Sequence, residues 1–143
     1  MLAALALAAC SLPVADKQSD AVARAFYDEL RAGSDLTRDP HLDPALKPAA
    51  AALSPADVRA QIPSGPPTKV NVTGWNYNTS SGEGSNARLS HDYVYAGRTV
   101  HVMTGLRKYP GQADWTIVGF RVIADGASQP ILLGTMPPTS NED

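Results

Sequence analysis

Between Ile62 and Thr68 the chain passes through Pro63, Gly65, Pro66 and Pro67, and across them the spacing of apolar residues changes from about 3.6 to about 2. Proline fixes φ and removes a backbone donor, so no helix or strand continues through such a cluster. Helices therefore belong before it and strands after it. No helical pattern is interleaved among the strands, so the expectation is an α+β fold with an antiparallel sheet. At 143 residues the chain supports one domain.

Upstream of the break, Ser19 or Asp20 is placed to cap a helix running to Ala32, with Val22, Ala23, Phe26, Tyr27 and Leu30 forming its apolar stripe and Gly33 ending it. Pro40, Pro44 and Pro48 limit residues 34–52 to one short helix near Pro44 to Leu53. The next helix start is better marked. Ser54 as N-cap, Pro55 at the first helical position and Asp57 at the third predict a short helix to about Ile62.

Downstream, four strands are expected: Thr68 to Asn78, Ala87 to Ala96, Thr99 to Arg107 and Asp114 to Ala124, with a Ser- and Gly-rich loop over 79–86. Gly97-Arg98 fits a type II′ hairpin and Tyr109-Pro110-Gly111-Gln112 a type II turn, which makes the strands a meander. That hairpin pairs Tyr95 with Val100 and Tyr93 with Val102. Leu89, His91, Tyr93, Tyr95, Val100, Val102 and Leu106 then face the helices, with Asp92 and His101 on the other side. Trp75 and Tyr77 alternate with Val70 and Val72, and either pair can face inward. In the fourth strand Trp115 and Ile117 alternate against Val118, Phe120 and Val122, and Gly119 between them permits a bulge that lets both sets be partly buried. After Asp125 the composition predicts a loose tail over 126–143, with Ile131 to Leu133 resting on the body.

The opening run Met1 to Ala9 is apolar, and Leu7-Ala8-Ala9-Cys10 resembles the signal box of bacterial lipoproteins. The resemblance implies removal of residues 1–9, lipidation of Cys10, and residues 10–19 as a tether. Each buried acyl CH₂ contributes about 0.8 kcal/mol, so two or three chains hold a domain firmly on a bilayer. No Lys or Arg precedes Cys10, a charge that an upstream start would supply. The competing reading is an apolar helix tip with Cys10 as a buried thiol. Ser11 is unlike the Asp that retains lipoproteins in the inner membrane, which favours an outer-membrane location in the envelope.

Over residues 20–125 the element order resembles the NTF2-like superfamily, the cone-shaped α+β fold of ketosteroid isomerases and polyketide cyclases. Phe26-Tyr27-x-x-Leu30-x-x-Gly33, the short helices after it, and Trp115-Thr116-Ile117-Val118-Gly119-Phe120 carry that resemblance. It implies a curved sheet around the long helix and an apolar cavity at the open end, with Tyr27, His91, Tyr93 and Trp115 as its lining. Isomerases of this kind pair a proton-moving carboxylate with an oxyanion-holding tyrosine. Tyr27 could be the tyrosine, but Asp35, Asp39 and Asp43 lie in a polar, proline-broken stretch and no carboxylate is assignable, so no catalytic residue is named.

Composition narrows the function further. The net charge is −2 with Lys and Arg scattered singly, which argues against nucleic acid as partner. One cysteine and three histidines, His41, His91 and His101, on separate elements offer no metal site, and no cofactor is implied. The expectation is a non-enzymatic, lipid-anchored envelope domain that binds a small apolar ligand or an envelope protein, with a homodimer through the sheet as a further partnership. The alternatives are a small isomerase or hydratase using Tyr27 or His91, and a structural assembly subunit.

Overall fold

The computed structural model describes residues 14–80 and 82–138, with side chains from Lys17 onward. Cys10 and the apolar run before it lie outside the described residues. The fold is α+β: three helices, α1 (Val14–Ala32), α2 (Lys47–Ala51) and α3 (Pro55–Gln61), precede a five-stranded antiparallel meander. Its strands, β1 (Lys69–Ser80), β2 (Gly84–Tyr95), β3 (Arg98–Lys108), β4 (Thr116–Ala124) and β5 (Ile131–Gly134), lie side by side in chain order.

Helix α1 starts at Val14, not at Ser19 or Asp20, so the expected tether is already helical over its second half. Residues 14–18 contain no glycine or proline, and nothing in them stops the helix short. Ala23, Phe26, Tyr27 and Leu30 are buried at helical spacing, and Phe26 packs edge-on against Phe120 at 4.8 Å between centroids. At the C-terminus Gly33 N–H donates to Leu30 O and Ser34 N–H to Glu29 O, the paired bonds that close a Schellman end. Helix α3 begins as its sequence dictates: Ser54 Oγ accepts from Asp57 N–H, and Pro55 opens the first turn.

The β2–β3 turn differs from expectation. Tyr95 pairs with Arg98, which makes Ala96-Gly97 the two-residue connection, and Gly97 takes the positive φ (88°) at its second position. A II′ turn needs its glycine first. Arg98 is also drawn away, since its Nη1 donates to the carbonyls of Ala60 and Gln61 at the end of α3. The register slips by two residues, so Tyr93 pairs with Val100 and His91 with Val102, and every side chain keeps its face. Leu89, His91, Tyr93, Tyr95, Val100, Val102 and Leu106 are all buried, and His101 is exposed on the other side.

Two irregularities reset the faces. In β1 the register shifts between Val72 and Gly74, so Val72 lies opposite His91 while Trp75 lies opposite Leu89. Val70, Val72, Trp75 and Tyr77 thus all share the inner side, a result strict alternation forbids. In β4 the shift falls beside Gly119, and Ile117 and Phe120 are both buried. The expected loop over 79–86 is shorter, because Thr79 and Ser85 Oγ atoms bond across the strands at 3.1 Å and carry the pairing on to Ser80 and Gly84.

The expectation of four strands and a loose tail needs correction. Residues 131–134 add an edge strand to β4, with Ile131 and Leu133 buried and Leu132 exposed. The segment after β5 turns back over the outer face, where Arg88 Nε donates to Pro137 O at 2.8 Å.

Candidate functional site

Tyr27, Tyr93 and Trp115 are interior side chains, each at most 2% exposed. Tyr27 stacks on Tyr93 with centroids 3.7 Å apart, and its hydroxyl shares a 2.6 Å hydrogen bond with that of Tyr95. Burial, then the bond to Tyr95, pushes the Tyr27 phenol well above its usual range, and burial does the same for Tyr93. Trp115 sits edge-on to Tyr77 at 5.8 Å, with Lys108 Nζ 4.8 Å from its ring centroid. Neither Tyr27, Tyr93 nor Trp115 enters the lining of five clefts that open among the described residues. The inner face of β2 is filled by aromatic packing where the resemblance implied a cavity.

The open part of the inner face lies at the sheet edge. Between α1 and β1 runs a cleft of about 610 Å³ with Lys17, Asp20 and Arg24 on one wall and Val72, Thr73, Gly74 and Trp75 on the other. Trp75 is 49% exposed and Val72 36%, two of the three exposed large apolar side chains among the described residues. The β1 bulge creates this wall by turning Val72 and Trp75 to one side within four residues.

His91 stands behind the cleft. It is 1% exposed, and its Nε2 lies 2.6 Å from Asp20 Oδ1, while Arg24 Nε donates to Asp20 Oδ2 at 2.8 Å. Burial holds the His91 pKa below its ordinary value despite the opposing pull of Asp20. With the imidazole neutral we assign the proton to Nε2, donating to the carboxylate. Asp20 therefore sits between one buried imidazole and one guanidinium, at the cleft wall. A carboxylate aligned by a histidine can carry a proton or an orienting hydrogen bond to a bound molecule, and Lys17 and Arg24 can meet an anionic group.

Tyr27 and His91 share none of these five clefts. His91 does line a shallow opening of about 160 Å³ on the outer face with His101. His101 Nδ1 lies 2.7 Å from Asp92 Oδ1 and its Nε2 2.7 Å from Asp125 Oδ1; donation to these carboxylates raises its pKa, Asp125 foremost. His41 Nδ1 lies 2.9 Å from the Trp115 carbonyl. Among the described residues no three His, Cys, Asp or Glu side chains gather as a metal-binding group.

Asp20, Arg24 and Lys17 are absent from the sequence-based candidates. Helix α1 begins at Val14, whereas the sequence places Ser19 or Asp20 as a helix cap, a role that gives Asp20 no side-chain partner in the core. Its place one turn before Ala23, at the rim of the apolar stripe, was the available signal. The chain matches no protein family, no curated protein and no solved structure in comparisons with each.

Proposed function

We propose that this is a lipid-anchored envelope protein, fixed to the membrane through Cys10, whose NTF2-like domain binds a small amphipathic ligand without catalysis. The observation that carries the reading is where apolar surface remains open: β2 is closed by the Tyr27–Tyr93 stack, and Val72 and Trp75 stay exposed opposite Lys17 and Arg24. A cleft with an apolar wall and a cationic wall suits a ligand with an apolar body and an anionic end. The enzyme alternative on Tyr27 and His91 loses support, because Tyr27 spends its hydroxyl on Tyr95 and lines none of those clefts.

Tryptophan emission tests the binding reading, since Trp75 lies in the cleft and Trp115 is buried. Titration with decanoate should give a saturable blue shift that decanol matches only weakly and that Val72→Asp abolishes. No saturable response, or an undiminished one in Val72→Asp, overturns it. For the anchor, protein from cells with its native leader should partition into detergent and Cys10→Ser should not. Equal partitioning of the two overturns that part.

A further inference from the structure

We propose that the cleft-bearing face of α1 and β1, marked by Lys17, Arg24, Val72 and Trp75, rests on the phospholipid surface to which Cys10 is tethered. The inference rests on the lipid-anchored reading and adds an orientation and a contact surface to it.

Chain length sets the geometry. Three residues lie between Cys10 and the helical Val14, and even fully extended the four Cα-to-Cα steps span at most about 14 Å. Lys17 follows within the first turn of α1, and Arg24 lies about 15 Å along the helix from Val14 at 1.5 Å per residue. Helix α1 thus begins directly at the membrane, with no room for the long spacer that would let the domain tumble freely above it. The first turn of α1 therefore lies close to the headgroups, and the tilt of the helix decides which face follows it down.

Side-chain chemistry selects which one. Trp75 is the kind of side chain enriched at membrane interfaces, an apolar ring with one polar N–H, and it is half exposed here beside Val72. Lys17 and Arg24 stand opposite, with long apolar stems and cationic ends that suit the phosphate level of a bilayer. Asp20, the acidic group on the same wall, is held by Arg24 and His91, so its charge is partly answered within the protein. The other exposed large apolar side chain among the described residues, Leu132, lies on β5 at the far edge of the sheet, four strands away. The apolar and basic features converge at the edge that the tether reaches.

The single cysteine allows a direct test. The full chain is coupled through Cys10 to phosphatidylcholine vesicles carrying a maleimide lipid, with or without brominated acyl chains, and tryptophan emission is read. Brominated lipid should quench a large part of the emission. Trp75→Phe should remove that quenched part and leave the Trp115 signal, and Lys17→Glu combined with Val72→Asp should reduce the quenching. Equal emission on brominated and ordinary vesicles, or quenching that persists in Trp75→Phe, overturns the proposal. Coupling imposes the tether whatever happens in cells, so the two readings fail separately. Quenching without native lipid on Cys10 overturns the anchor alone, and native lipid without quenching overturns the docked face alone.

Discussion

Asp20 joins the fold to the candidate site. Its two oxygens answer a nearly fully buried imidazole and a half-exposed guanidinium, and these two bonds differ in worth. The Arg24 pair is a surface i, i+4 contact, worth a few tenths of a kcal/mol to about 1 kcal/mol. The His91 bond is internal, and removing its acceptor leaves a buried N–H without a partner, at a cost of about 1–3 kcal/mol. Asp20→Ala should therefore lower the denaturation free energy by about 1–3 kcal/mol, and Arg24→Ala by clearly less. Equal losses in the two variants would place the energy in the surface pair and deny His91 its structural dependence on Asp20.

At the scale of elements, parity decided what was legible. Moving the β2–β3 turn by one residue shifts the pairing by two and leaves every face assignment intact, because alternation has period two and only an odd slip of register exchanges sides. Both bulges stand next to a glycine, Val118 before Gly119 in β4 and Thr73 before Gly74 in β1, and only the first of these glycines is used in the sequence reading as the mark of a bulge. The wall of the candidate cleft thus has its sequence signal in Gly74, a glycine inside an otherwise good strand, while His91 on the inner face follows from alternation alone. Strand β5 was hidden differently: Ile131-Leu132-Leu133-Gly134 is too short for its period to stand out between Pro130 and the prolines that follow. Its place depends on long-range packing. A Cβ added at Gly119 would meet Thr135 O at 2.5 Å, and one at Gly105 would meet Pro137 Cδ at 2.5 Å and Met136 Sδ at 2.9 Å. The last segment therefore lies on the sheet only because both positions lack a side chain. Gly119→Ala should cost about 1–3 kcal/mol through forced displacement of backbone, and it should speed hydrogen exchange at Leu132 and Leu133 before the central strands respond. Unchanged exchange there would mean that the segment is held by other contacts.

Across the whole molecule, groups with opposite pH behaviour are distributed over the two sides of the sheet. His91 has its pKa lowered by burial from 6.5, so its contribution is complete above pH 6.5 and is lost as pH falls through the lower folded value. Glu29 on α1 behaves the other way. Partial burial, and then the neighbouring Asp39 carboxyl, raise it from 4.5 to about 7, so the folded protein holds a proton that the unfolded chain has released. Its contribution is complete below pH 4.5 and disappears as pH rises through about 7. His101, raised by Asp125 and Asp92, has the same sign as Glu29, but it is exposed and screened and contributes weakly. Glutamine at position 29 keeps the shape of the protonated carboxyl and cannot ionise. Denaturation of wild type and Glu29→Gln between pH 5 and pH 8 should therefore show the variant gaining on the wild type steadily as pH rises from 5, with the gain levelling off once pH passes about 7. Such a gain would place the ionisation at the α1–Asp39 contact, since His91 and His101 are common to both proteins and cancel in the difference. Parallel pH curves would instead mean that Glu29 titrates alike in the folded and unfolded chains, and that the carboxyl pair stores no protons.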